Sequence, residues 1–489
     1  MVNGEFTIHY CPFTSTVRQV INDFKMKQPR QFTVIVVLLI LTLLSTGVSG
    51  QEGNYKAWKA GVASVVITPD QPVWMAGYGD RDRPAEGKIM DIWAKALALQ
   101  DADGRKAVLV TADLVGIPKR LSDHVRDQLK AKYNLSRAQI AINTSHTHTG
   151  PVLSDALVSI YPINASQQKD IDQYTDQLGE KLVSLVGEAL RAMQPAQLYS
   201  GNGVTRFQVN RRNNAEATLS SVADLNGPND YAVPVIKVTD KNGKLMAVAF
   251  GYACHNTVLA GYKWSGDYAG FAQAALEKNY PGVTALFLQG CGADQNPLPR
   301  RTVELAQQYG KELAAAVERM LNEDMKPLPA RLTTSYSEIA LPLSTLPSKA
   351  ELSAIAETSS GYKKRWADNL LARINDGQSL ITSYPYPVEV WKIGDQPVVI
   401  LGGEVVVGYA VELKRVFGRD VFVLGYSNDV MAYIPTAAIL REGGYEGASS
   451  QMVYGLPSPW RADIETLILQ EVLQLAKQSE VPVPGSKIN

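Results

Sequence analysis

Histidine and cysteine are the scarce residues of this chain. Among 489 residues there are five histidines and three cysteines. Only Cys254 and Cys291 lie beyond residue 50, so at most one disulfide is available to the folded part. An excess of charge of either sign is also missing. The 48 basic side chains balance 48 acidic ones and no Lys/Arg block stands out, which excludes the electrostatic footprint of a nucleic-acid binder. Long apolar runs are absent too, apart from Phe32 to Leu44, which falls short of the ~20 residues of a bilayer span. What is present, 45% hydrophobic and 8% aromatic residues, is enough to bury a large core.

The apolar run belongs to a targeting segment. Lys27 and Arg30 form a basic stretch before it, and small residues follow at Val48-Ser-Gly50. This is the pattern of a secretory signal starting at Met26 and cleaved near Gly50, with residues 1–25 as an upstream extension. The expected location is secreted or periplasmic; the alternative is a membrane anchor through residues 32–44. In an oxidising compartment Cys254 and Cys291 either pair or stay buried and reduced.

From Ala57 onward short β-rich runs alternate with helical patterns. The reading is an α/β fold, a mixed β-sheet core with flanking helices in a single large catalytic domain over 57–478, followed by a tail at 479–489. Ala107 to Asp113, a helix opened by Pro118, and Ile140 to Asn143 form a βαβ unit. Later strands are expected at Leu245 to Tyr252 and Val283 to Leu288. Val388 to Lys392 pairs with Pro397 to Leu401 across Gly394-Asp395. A capping box is expected at Ser348 and Glu351. Gly402-Gly-Glu404 is read as opening a helix to Phe417, Arg441 to Gly447 as a Gly-rich loop, and Pro459 to Gln478 as the last helix.

Three of the four histidines beyond residue 50 end apolar runs: His146 and His148 in Ser145-His-Thr-His-Thr-Gly-Pro151, and His255 in Ala253-Cys-His-Asn256. His124 lies on a charged helix and reads as surface. Alternation along a strand points His146 and His148 the same way. Neutral imidazoles at such ends suit Zn²⁺, whose catalytic sites keep about three protein ligands and one open position. Glu404, after two glycines, is an oxygen-donor candidate; the competing reading is an acid at a helix N-terminus. Asp113, Asp267 and Asp294 are either partners that hold a histidine tautomer or turn and cap formers.

These segments resemble the neutral/alkaline ceramidase family, zinc-dependent amidases that cleave the N-acyl bond of ceramide. The likeness runs from about Ala57 to Gln478. The His146 segment resembles the family's His-Thr-His-Ser-Gly-Pro motif, Val209-Asn-Arg-Arg212 the segment of its substrate-site arginine, and Ala253 to Thr257 its second zinc-histidine motif. Gly403-Glu404 is similar to its ligand glutamate, Tyr433-Ile-Pro-Thr436 to its ligand tyrosine, and Tyr445-Glu-Gly447 to its substrate-facing tyrosine. The resemblance implies one Zn²⁺ per chain held by His146, His255, Glu404 and Tyr433. His148 is then left for proton transfer, with Arg211 and Tyr445 holding the carbonyl oxygen. It further implies an N-acyl lipid substrate, split into a fatty acid and a sphingosine-like base, and peripheral membrane contact.

Two departures stand out. Gln295 in Gly292-Ala-Asp-Gln-Asn-Pro297 replaces a family serine, and no counterpart of the immunoglobulin-like C-terminal domain of larger ceramidases is expected. The first motivates a second reading, esterase or deacylase action on a non-sphingolipid substrate. A non-catalytic exported binding protein is the third.

Overall fold

The computed structural model describes residues 57–218 and 225–483. The targeting segment lies outside the described residues.

Two sheets stack at the centre. The larger has nine strands; eight run in the order Ile140–Thr144, Lys106–Ala112, Trp93–Gln100, Trp58–Val66, Gln194–Val204, Ala232–Asp240, Leu245–Tyr252 and Thr284–Gln289. Most pairs are antiparallel, but the two outermost pairs are parallel. The smaller sheet is ordered Leu332–Pro342, Ser383–Ile393, Gln396–Leu401 and Phe422–Leu424. The expected hairpin across Gly394-Asp395 is its centre, and its last pair is parallel.

Leu97, Leu109, Leu198, Ile236 and Leu286 from one sheet pack with Leu332, Trp391, Val398, Ile400 and Phe422 from the other in one buried cluster. The outer face of the large sheet is covered by the helices Lys119–Tyr133, Ala165–Arg191, Asp267–Asn279 and Val303–Leu321. Val407–Phe417 and Ile464–Gln478 cover the small one. The layers are therefore helix, sheet, sheet, helix. Strands buried on both faces explain runs such as Ala107 to Ala112, which carry no polar alternation. The α/β expectation, a mixed sheet flanked by helices, describes this architecture.

The edges of the large sheet meet at its carboxyl end. Asn143 Nδ2 donates to Gln289 O at 3.3 Å and to Gly425 O at 2.8 Å, and Gln289 N donates to Asn143 Oδ1 at 2.8 Å. One buried amide thus ties together three strand ends whose next residues carry the chemistry.

Several local expectations change. The Ile140 strand stops at Thr144, and His146 sits at φ 59°, so strand alternation does not aim the His146–His148 pair. Glu404 does not open a helix: Glu404–Val405 is a two-residue strand parallel to Tyr433–Ile434, and the helix starts at Val407. Gly403, at φ 71°, makes the turn that reaches it. The expected Gly-rich loop Arg441 to Gly447 is instead the end of a helix, Ala437–Glu442, and the start of a π-turn, Tyr445–Ser449. The last helix begins at Ile464, because Pro459 to Asp463 is used to pair Leu343 with Trp460 and to make turns. The capping box at Ser348 and Glu351 is present. No helix of the described residues is long and apolar enough to cross a membrane.

Candidate metal centre

Each histidine is aimed by main chain. The left-handed backbone at His146 turns its ring inward, and Nδ1 meets Val115 O. His255 follows the Leu245–Tyr252 strand, and its Nδ1 lies 2.8 Å from Gly292 O. A carbonyl only accepts, so both Nδ1 atoms carry the proton and both Nε2 lone pairs point inward. His148 Nε2 is 3.1 Å from His146 Nε2. The ligating atoms of His146, His148 and His255 all fall within 4.8 Å of one another, a cluster able to hold a metal ion.

The oxygen side arrives from the separate two-stranded pairing of Glu404–Val405 with Tyr433–Ile434. Glu404 Oε2 lies 3.2 Å from His146 Nε2 and 3.3 Å from His255 Nε2. Tyr433 Oη is 3.4 Å from His255 Nε2. Arg211 Nη2 donates to Tyr433 Oη at 3.1 Å, while Arg211 Nε donates to Glu446 Oε1 at 2.8 Å. Tyr445 stands at the rim, 44% exposed, its ring 5.3 Å from that of Tyr433. The seven residues singled out from the sequence, His146, His148, Arg211, His255, Glu404, Tyr433 and Tyr445, thus lie around one point.

The donor set fits a divalent cation. His148 Nε2 and Glu404 Oε2 lie 3.1 and 3.2 Å from His146 Nε2, Glu404 Oε2 lies 3.3 Å from His255 Nε2, and Glu404 Oε2 has no hydrogen-bond donor of its own. Buried lone pairs repel unless a cation sits among them, and two His plus carboxylate and phenol oxygens suit a borderline metal. The tautomer-fixing carbonyls are the outer partners such sites use. His148 differs, because its Nδ1 has no hydrogen-bond partner.

Electrostatics follow from burial. Burial holds the His255 imidazole down to about 4, with Arg211 adding to the effect. His148 is held well below its ordinary value by burial and by its two imidazole neighbours. Burial works against a charge on Glu404, yet contact with His146 and His255 keeps its carboxyl well below the usual range.

Two side chains went unnoticed in the sequence. Tyr454 Oη donates to Glu404 Oε1, which leaves Oε2 for the cluster. Tyr426, fully buried, lays its ring 4.4 Å from the His146 ring. Only its position two residues after an apolar strand marks Tyr426; nothing marks Tyr454.

The carboxylates at other strand ends tie segments distant in sequence together. Asp113 accepts from Trp93 N, Asp267 from Leu259 N and Tyr268 N, and Asp294 from Val407 N and Asn210 Nδ2. Gln295 is buried; its carbonyl accepts from His255 N, and its Nε2 reaches Pro228 O at 3.3 Å. That loop builds the floor beneath His255. Cys254 and Cys291 are both free and buried, so of the two expectations the reduced pair holds. Half-exposed His124 lies on the helix surface near Glu180.

A stacked-sheet α/β protein with a buried His/Glu/Tyr metal-type centre is the class that fold and site define. Residues 58–327 match the model of the neutral/alkaline non-lysosomal ceramidase family, N-terminal part, and the chain belongs to that family. Neutral ceramidase 1 of Arabidopsis thaliana is 23% identical over 352 residues, 68% of this chain and 43% of that protein. Neutral ceramidase 2 of the same plant is 32% identical over 119 residues, 24% of this chain and 15% of that protein. The chain thus spans less than half the length of the curated relatives it matches. The crystal structure of neutral ceramidase from Pseudomonas aeruginosa superposes with a TM-score of 0.68 at 20% identity, covering 88% of this chain and 76% of that one. A structure described as ceramidase complexed with C2 superposes equally, at 19% identity.

Proposed function

We propose that this chain is an exported zinc-dependent amidohydrolase that cleaves the N-acyl bond of ceramide or a related N-acylated amphiphile. The observation that carries the reading is the convergence of His146, His148 and His255 Nε2 with Glu404 Oε2 beside Tyr433 Oη. Membership of the ceramidase family supports the amide as the bond cleaved.

In this reading His146, His255, Glu404 and Tyr433 hold the zinc. The carbonyl contacts at the Nδ1 atoms of His146 and His255, and their lack at His148, favour that division. A bound Zn²⁺ supplies Lewis-acid polarisation of a carbonyl and acidifies water towards a pKa of ~7. His148, neutral at pH 7 and beside the cluster, takes a proton from the attacking water and delivers it to the leaving amine. Arg211 is held in place by Glu446 and presents its guanidinium beside Tyr433, where it orients the carbonyl oxygen and steadies developing negative charge. Tyr445 at the rim closes on the same oxygen from solvent.

His146→Ala and Glu404→Ala are expected to lose stoichiometric zinc and hydrolysis together, whereas His148→Ala keeps zinc and loses about 10²–10⁴-fold in rate. Metal analysis and a panel of N-acyl, ester and acetylated-sugar substrates measure this. Retained zinc with full activity in the first two variants overturns the site, and cleavage of esters or sugars alone moves the activity to the deacylase reading.

A further inference from the structure

Of the three histidines at the cluster, one is held in a different way. His146 and His255 each have Nδ1 on a main-chain carbonyl, whereas Nδ1 of His148 is buried without a partner. A base that moves protons is ordinarily oriented by a third group through its other nitrogen. His148 has no such group, so its ring must be fixed by other means.

The turn from Ala76 to Arg81 surrounds it. Gly77, at φ 104°, runs so close to the imidazole that a Cβ there would lie 2.4 Å from His148 Cγ and 2.5 Å from Nδ1. Only glycine allows that approach, which leaves Nδ1 facing main chain. Tyr78 packs edge-to-face on the imidazole, with ring centroids 4.8 Å apart. Its own far end is anchored: Oη donates to Leu259 O at 2.9 Å and accepts from Arg301 Nη1 at 2.7 Å. On the main-chain side Arg81 Nη2 donates to His148 O at 2.7 Å and to Gly261 O at 3.2 Å, while Nη1 donates to Ala76 O. Arg81 is 3% exposed and makes no ion pair with a carboxylate among the described residues. Burying a guanidinium without a carboxylate is costly, and what this one does is join three carbonyls from three segments. It also lies 5.0 Å from the centroid of the Tyr78 ring, so turn, tyrosine and arginine form one scaffold.

From this scaffold we infer that Tyr78 and Arg81 are positioning residues for His148, holding its ring by shape and its main chain through the carbonyl, where the other two histidines are held through Nδ1. The inference rests on the reading of His148 as the proton carrier. Neither residue is assigned a contact with substrate or metal.

Tyr78→Ala removes the ring contact, and Tyr78→Phe keeps it while dropping only the hydroxyl. In zinc-loaded protein Tyr78→Ala is expected to keep its metal, to hold KM within about threefold and to lose about 10²-fold in kcat, since a small misplacement of a reacting group can cost that much. Tyr78→Phe is expected to recover most of the loss. Arg81→Lys keeps the charge but not the fork that spans the carbonyls, and is expected to lose about tenfold in kcat with zinc retained. A second readout needs no turnover: carbethoxylation of His148 by diethylpyrocarbonate, followed by peptide mass and scaled to half-exposed His124. It is expected to rise severalfold in Tyr78→Ala and Arg81→Lys and to stay at the parent rate in Tyr78→Phe. If the parent chain cleaves no amide, the amidase reading fails and this rate alone decides on the positioning. His148 reactivity equal to the parent's in Tyr78→Ala, or zinc lost together with the rate, overturns the assignment. Parent-like values of both readouts in Arg81→Lys remove Arg81 from it.

Discussion

The two halves of the candidate metal centre are built by different means. On the imidazole side, His146 and His255 leave the end of the large sheet and are oriented by carbonyls of Val115 and Gly292. On the oxygen side, Glu404 and Tyr433 are brought together by a two-residue parallel pairing, and are then aimed by side chains, Tyr454 for one and Arg211 for the other. Main chain fixes the first half and side chains fix the second. The first should therefore respond to substitution in an all-or-none way, and the second should be adjustable.

The largest expected effect lies on the imidazole side. His255→Ala removes a ring whose Nδ1 is fixed by the Gly292 carbonyl, and zinc affinity is expected to fall by more than the 10–100-fold typical of outer partners. Tyr433→Phe, which removes only an oxygen at 3.4 Å from His255 Nε2, is expected to cost less. Equilibrium dialysis against zinc ranks the two, and a greater loss in Tyr433→Phe would break the comparison.

Gly403→Ala comes next. Gly403 lies at φ 71°, and a Cβ there would stand 2.6 Å from Ile434 Cγ1 and 2.8 Å from Ala432 O. Left-handed strain and this clash both act on the turn that carries Glu404, for an expected loss of about 2–3 kcal/mol in urea unfolding. A neutral result would mean that the Glu404–Tyr433 pairing tolerates a shift, making the oxygen side softer still.

Tyr454→Phe isolates a single hydroxyl. The ring and its packing remain, but Glu404 Oε1 loses its donor and the carboxylate is free to turn. Zinc affinity is expected to fall about 10–100-fold while the melting temperature of the zinc-free protein changes little. Equal loss of melting temperature and affinity would make Tyr454 a packing residue instead.

The same division explains what could be read in advance. The imidazole side was legible because three of the four histidines beyond residue 50 ended apolar runs, a pattern visible along the chain. Even there the reason was wrong: the His146 and His148 rings meet at 4.8 Å through the left-handed backbone of His146, where strand alternation had been expected to aim them. The oxygen side depends on contacts distant in sequence. Glu404 looked like a helix-opening acid until its pairing with Tyr433 placed it in a strand. Tyr433 could be picked from 22 tyrosines only by resemblance, and Tyr454 by nothing, since a hydroxyl 50 residues away leaves no periodicity. The layers were legible in kind, because apolar strands alternate with amphipathic helices. That two sheets stack was not, because alternation does not say which strands share a sheet.

A joint holds the halves in register, and its titration can be followed apart from the metal. Asn428 donates from its main chain to Ile142 O at 2.7 Å, accepts from Ile142 N at 2.9 Å, and donates through Nδ2 to Glu389 Oε2 at 2.7 Å. Trp391 Nε1 donates to the other oxygen of Glu389 at 2.7 Å, and Arg126 stands 3.7 Å away. Glu389 and Glu404 are both buried carboxylates, yet they shift in opposite directions. Glu404 faces imidazoles and is held down; for Glu389, burial outweighs Arg126 and raises the carboxyl to about 8 from an ordinary value of 4.5. Between those values the native state binds the proton and the unfolded state does not. Stability from this group is therefore complete below pH 4.5 and lost as pH rises through 8, at a slope of up to ~1.4 kcal/mol per pH unit. Glu389→Gln keeps the shape without the titration. Urea unfolding at several pH values should show the variant close to the parent chain in mild acid and increasingly more stable than it towards pH 8. A difference that stays flat with pH would mean that Glu389 is ionised in the fold and paired with Arg126, making the joint an ion pair and the two glutamates alike.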